Sequence, residues 1–88
     1  MFSQHDLGAS LFKTWSKSQQ QEEITKLVEG YRNGLPIGVL CKMAETICGS
    51  RRQAAKYLRK MLTAEERRNA IAGETGGMHQ IVKEFLED

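Results

Sequence analysis

Apolar residues recur every three to four positions along this 88-residue chain. That spacing puts them on one face of an α-helix, whereas a half-buried strand would alternate apolar and polar residues, a pattern that the sequence lacks. The single proline and most of the glycines fall between the periodic segments, where helices end. The pattern therefore predicts an all-α fold, with residues 1–88 forming one domain: a compact bundle of five to six short helices.

The boundaries of the predicted helices follow from capping residues and apolar stripes. The helices are expected to span residues 4–16, 19–32, 36–48, 51–62, 64–72 and 77–87. Ser18 is the expected N-cap of the second helix, and Thr63 with Glu66 forms a capping-box pattern before the fifth. The last helix is expected to bury a stripe made of Met78, Ile81, Val82, Phe85 and Leu86. Both terminal helices, 4–16 and 77–87, are amphipathic, and they are the expected dimerisation elements.

Charge singles out one of these segments. The whole chain has a net charge of +2, yet residues 48–63 hold five basic side chains and no acidic one. Residues 1–47 are neutral, and residues 74–88 carry a net charge of −3. A basic segment beside a neutral body and an acidic tail indicates a localised anionic partner, although a solvated helix face is the simpler alternative.

The basic segment follows a tight turn at residues 48–50, and small residues lie on both sides of that turn. Ala44 is a small residue in the helix before the turn, Ser50 is a polar residue that opens the next helix, and Ala54 and Leu58 lie on its apolar side. In these positions residues 37–60 resemble the helix-turn-helix of bacterial and phage transcriptional regulators. The bundle is therefore expected to contain a helix-turn-helix over residues 36–62.

Two positions in the turn depart from that motif. Cys48 stands where the motif usually has glycine, and Gly49 stands where a hydrophobic residue is usual. A shift of one residue puts Gly49 on the glycine position, but it also puts Glu45 on the small buried position. The register of the motif on this sequence therefore leaves the geometry of the turn open.

The resemblance implies that helix 51–62 lies in the major groove of double-stranded DNA. A helix in that position presents its N-terminal side chains to base edges and its flanks to phosphates. Arginine can bridge the two acceptors of guanine, and glutamine can pair with adenine. The expected DNA-binding residues are Ser50, Arg51, Arg52, Gln53, Lys56, Arg59 and Lys60. The predicted function is thus sequence-specific DNA binding by a small transcriptional regulator, acting as a homodimer.

Other chemistry finds little support in the sequence. Cys41 and Cys48 are seven residues apart, a rise of about 10 Å on one helix, which is too far for a disulfide. His5 and His79 have no metal-ligand spacing with either cysteine. No enzyme activity, cofactor or metal is therefore expected. A signal peptide and a membrane span are also not expected, so the predicted location is cytoplasmic.

The alternative function is protein binding. A small helical adaptor or inhibitor would bind a protein partner through its apolar helix faces, either the stripe of helix 4–16 or the terminal helix.

Overall fold

A computed structural model describes residues 16–87 of the chain and contains five α-helices over that range. The helices are α1 Lys17–Arg32, α2 Ile37–Cys48, α3 Arg51–Met61, α4 Ala64–Ala72 and α5 Gly76–Leu86. No strand occurs between residues 16 and 87, so the predicted all-α bundle is confirmed. The predicted helix 4–16 lies outside the described residues except for Ser16.

Ser16 begins α1 through a capping box. Its Oγ accepts a hydrogen bond from the Gln19 backbone N–H at 3.2 Å, and the Gln19 Oε1 accepts one from the Ser16 N–H at 2.9 Å. The expected cap at Ser18 and start at residue 19 were therefore wrong by two residues: Ser18 has the same spacing to Gln21, but the capping box forms at Ser16 with Gln19. The helix ends as predicted at Arg32, ahead of Gly34, which has a φ of 121°.

A two-residue turn joins α2 to α3. Gly49 ends α2 in the left-handed conformation, with φ 69° and ψ 12°, and its N–H donates to the Glu45 carbonyl at 2.8 Å. Ser50 then adopts an extended conformation and caps α3. Ala44, which precedes the turn in α2, is fully buried, and the left-handed glycine of the turn is Gly49.

The core is assembled around α3, which contacts α1, α2 and α5. Its buried side carries two alanines, Ala54 and Ala55, and these small side chains let the neighbouring helices approach its backbone closely. The larger residues that close the core around them are Ile24, Val28, Leu40, Leu58, Val82, Phe85 and Leu86. No helix between residues 16 and 87 is long and apolar enough to cross a membrane.

The apolar stripe of α5 is only partly buried. Val82, Phe85 and Leu86 lie in the core, but Met78 is 41% exposed and Ile81 is 37% exposed, which corrects the prediction that the helix buries all five. The apolar stripe is wider than the surface against which α5 packs. Ile81 lies at the edge of the stripe, and Met78 lies near the N-terminal end of the helix.

A charged link ties the end of α1 to the start of α4. The Arg32 guanidinium donates to both carboxylate oxygens of Glu66, from Nε and Nη2, each at 2.9 Å. The Glu66 carboxylate also completes a capping box with Thr63, accepting from its N–H at 2.9 Å. The hydrogen bonds from Arg32 first, and then that from the Thr63 backbone, lower the pKa of Glu66 to about 2.

Gly49→Ala is expected to lower the free energy of unfolding by about 1–2 kcal/mol, because an L-residue in the left-handed conformation costs roughly that much. A methyl group at position 49 would meet no atom within 4 Å, so the loss is conformational rather than steric. Urea denaturation measures it. Gly77→Ala is the control, since it adds a methyl within a helix, also with no atom within 4 Å, and should stabilise by up to about 1 kcal/mol. Equal losses in both variants would contradict this account of the turn.

The Glu66 link predicts a specific loss of stability in acid. A carboxylate whose pKa is lower in the folded chain than in the unfolded one, here about 2 against about 4.3, stabilises the fold above the higher value. That contribution disappears as the pH falls from about 4.5 to about 2. The wild type should therefore lose more stability over this window than Glu66→Gln does, as measured by thermal unfolding at a series of pH values. Glu65→Gln should keep the wild-type pH dependence; a match between the Glu66 and Glu65 variants would disprove the link.

Candidate nucleic-acid interface

The side of α3 that faces away from the core is basic. Arg52, Lys56 and Lys60 are exposed and recur at every fourth position, so they form a row along the helix. Successive members are separated by a rise of about 6 Å. Between residues 16 and 87 none of the three makes an ion pair or a side-chain hydrogen bond. Their charges are therefore available to a partner.

Two of the other expected DNA-binding residues, Ser50 and Gln53, lie at the N-terminal end of α3. The Ser50 Oγ accepts a hydrogen bond from the Gln53 backbone N–H at 3.3 Å, so the serine hydroxyl acts as the helix cap. The Gln53 side chain is half-buried and lies at one edge of the basic row. Among the described residues its amide has no hydrogen-bond partner. Ser50 therefore has a structural task, whereas the amide of Gln53 is available.

Arg51 is held inside the protein's own charge network. Its Nε donates to the Glu45 carboxylate at 3.0 Å, and its Nη1 donates to the Glu84 carboxylate at 3.1 Å. The guanidinium carbon also lies 5.4 Å from the centre of the Phe85 ring, within cation–π range. The hydrogen bond and charge of Glu45, and then those of Glu84, raise the pKa of Arg51. Arg51 thus connects α3 to both α2 and α5.

Arg59 caps the C-terminal end of α5. Its Nε donates to the Phe85 carbonyl at 3.2 Å, and its Nη2 donates to the Glu84 carbonyl at 3.4 Å. Arg67 on α4 donates to the next carbonyl, that of Leu86, at 3.5 Å. Two cations therefore meet the carbonyl end of α5, where the helix dipole favours positive charge.

A surface groove of about 590 Å³ lies along α3 where that helix meets α5. It is lined by Arg51, Arg52, Ala55, Lys56, Arg59 and Glu84. Four of the seven predicted DNA-binding residues are thus brought together on its walls, while Ser50, Gln53 and Lys60 lie outside it.

Two acidic residues of this region escaped the sequence analysis. Glu84 belongs to the acidic tail. Its pairing with Arg51 joins residues 33 positions apart, so a local sequence pattern does not predict this ion pair. Glu45 appeared only as an obstacle to one register of the motif. Its contact with Arg51 depends on the turn at Gly49 bringing the two helices together.

The cysteines show no sign of activation. Cys41 is buried, and burial raises the pKa of its thiol to about 12, whereas a nucleophilic or metal-binding cysteine needs a lowered pKa. Burial also raises the pKa of the Cys48 thiol. Over residues 16–87 no group of histidine, cysteine and acidic side chains is arranged to hold a metal ion.

Comparison of the chain with protein-family models, with curated proteins and with solved structures finds no match.

Arg59→Ala is expected to increase amide hydrogen exchange in the last turn of α5 by roughly three- to tenfold, because the helix loses a charge-assisted cap of about 1 kcal/mol. Exchange measured by NMR at single residues checks this. Lys60→Ala removes the next charge along α3 without touching α5, so it should leave the same amides unchanged. Unchanged exchange in the Arg59 variant would show that the carbonyl contacts contribute nothing to α5.

Proposed function

We propose that this protein binds double-stranded DNA in a sequence-specific manner, with α3 in the major groove, as a small transcriptional regulator. The observation that carries the proposal is the row of Arg52, Lys56 and Lys60 on the exposed side of a helix whose other side is fixed in the core. Within the described residues these cations have no partner of their own. A helix face that is only solvated can carry charges of both signs, whereas this row is entirely positive.

The dimensions of α3 suit this role. A helix with its side chains is about 10–12 Å across, and the major groove of B-DNA is about 12 Å wide. Arg52 and Gln53 lie in the first turn of α3, where a recognition helix meets base edges. Lys56 and Lys60 follow along the same side and contact phosphates. Arg52 is suited to guanine and Gln53 to adenine, so these two residues supply the sequence preference.

The contacts of Arg51 within the fold change the roles that the sequence suggested for the residues at the start of α3. Its guanidinium already bonds to two carboxylates, so base contact falls to Arg52 and Gln53. Because removing Arg51 would also break contacts to α2 and α5, variants of the exposed lysines give a cleaner test.

A second candidate function is protein binding, which the exposed apolar side chains of the bundle favour. Val39 and Met43 on α2 and Met78 and Ile81 on α5 are each more than one-third exposed. Isolated exposed apolar residues are common, but four on two helices give a protein partner or a second copy a place to dock. Light scattering over a range of concentrations detects a second copy.

The two lysine pairs of the bundle allow a matched test of DNA binding. Lys56→Ala with Lys60→Ala is expected to weaken binding to duplex DNA and to reduce the slope of log affinity against log salt by about 1 per lysine. Fluorescence anisotropy at several salt concentrations measures both. Lys26→Ala with Lys42→Ala is the control, because it has the same composition and net charge but alters exposed lysines on α1 and α2, where Lys26 forms an exposed ion pair with Glu23. It should bind nearly as the wild type does.

Two results would contradict the proposal. Equal losses in the two double variants would mean that only net charge matters. If the wild-type protein does not bind duplex DNA at low salt, protein binding becomes the better-supported function.

A further inference from the structure

We propose that the groove between α3 and α5 binds a phosphate of the DNA backbone, and that Glu84 is a built-in competitor which this phosphate displaces from Arg51. The site rests on the proposed function of α3 and extends it from the exposed row to the flank of the helix. Its walls carry four cations, on Arg51, Arg52, Lys56 and Arg59, against the one carboxylate of Glu84. The groove is therefore positive even with Glu84 in place.

Two of the arginines that line the groove are held in position before any ligand arrives. Arg51 is fixed by Glu45 on one side and by the Phe85 ring on the other. Arg59 is fixed by the carbonyls of Phe85 and Glu84. Guanidinium groups held in this way lose little side-chain freedom on binding, which favours affinity for an anion that offers two oxygens to the planar donor fork, as phosphate does.

Donors remain for such an acceptor. Arg51 uses Nε for Glu45 and Nη1 for Glu84, and its Nη2 bonds to no residue between 16 and 87. A phosphate in the place of the Glu84 carboxylate accepts from Nη1 and Nη2 together, while Nε stays on Glu45. Arg59 likewise keeps Nη1 free of hydrogen bonds to the described residues.

The Glu84 carboxylate can leave at little cost. Both side chains of the pair are 48% exposed, and exposed ion pairs are weak and screened by salt. Arg59 holds the backbone carbonyl of Glu84 rather than its carboxylate, so the cap of α5 survives when the side chain turns away. The carboxylate therefore behaves as a replaceable anion on a fixed helix.

The groove also opens onto the exposed row. Arg52 and Lys56 belong both to its walls and to the basic side of α3. A DNA strand that passes along α3 therefore brings its phosphates to the mouth of the groove. This continuity favours backbone phosphate over a free anion as the natural occupant.

The test is the affinity of Glu84→Gln for a duplex of about 20 base pairs, measured by fluorescence anisotropy across a range of salt concentrations. Removing one negative charge beside the phosphate is expected to tighten binding about three- to tenfold at about 100 mM salt. Glu87→Gln makes the same change one turn further on, at a residue with no bond to Arg51, and should alter affinity less than about twofold. In an Arg51→Gln background, the gain from Glu84→Gln should shrink to that of Glu87→Gln.

A direct measurement on the unaltered protein accompanies the variants. Addition of duplex DNA should shift the side-chain N–H resonances of Arg51 and Arg59 in NMR spectra. If Glu84→Gln and Glu87→Gln behave alike and neither arginine resonance moves, the phosphate site is overturned.

The outcomes separate this site from the proposed function. If the Lys56 and Lys60 variant loses binding while Glu84→Gln changes nothing, α3 binds DNA but the groove does not take part. If the gain appears only with an RNA duplex of the same sequence, the assignment to DNA is overturned. If the wild type binds no duplex at low salt, both proposals fall.

Discussion

The close packing of α3 against three neighbouring helices is the constraint on which the rest of the structure depends. Ala54 and Leu58 are fully buried and Ala55 nearly so, which brings α1, α2 and α5 against one side of this helix. A helix enclosed in this way has only its remaining side for solvent, and there the sequence places only polar and charged residues. The core thus determines which side of α3 carries the exposed basic row, because burial of the alanines fixes the rotation of α3 about its own axis.

The same packing divides the basic residues of α3 into two groups. Arg51 and Arg59 face α5 and connect it to the rest of the bundle, one through the Glu84 carboxylate and the other through backbone carbonyls. Arg52, Lys56 and Lys60 face outward and bond to nothing in the described part of the chain. Two of the five cations of α3 therefore stabilise the fold, and three remain for the proposed DNA contact.

The acidic tail has a definite place in this arrangement. The net charge of −3 over residues 74–88 suggests a region that repels an anionic partner. In the folded chain, however, Glu84 neutralises part of the Arg51 charge, and Arg59 and Arg67 meet the carbonyl end of the same helix. Glu84 thereby lines the basic groove, where its carboxylate is the anion that the proposed phosphate would displace.

The sequence by itself determined the helical class, the five described helices to within about two residues, and the basic side of α3, because these follow from periodicity, caps and charge within short windows. It did not determine that Met78 and Ile81 stay exposed, since amphipathic spacing does not tell how wide the facing surface is. Only the tertiary structure decided which arginines are anchored. The pairing of Arg51 with Glu84 joins residues 33 positions apart, and such contacts depend on how helices pack rather than on local sequence.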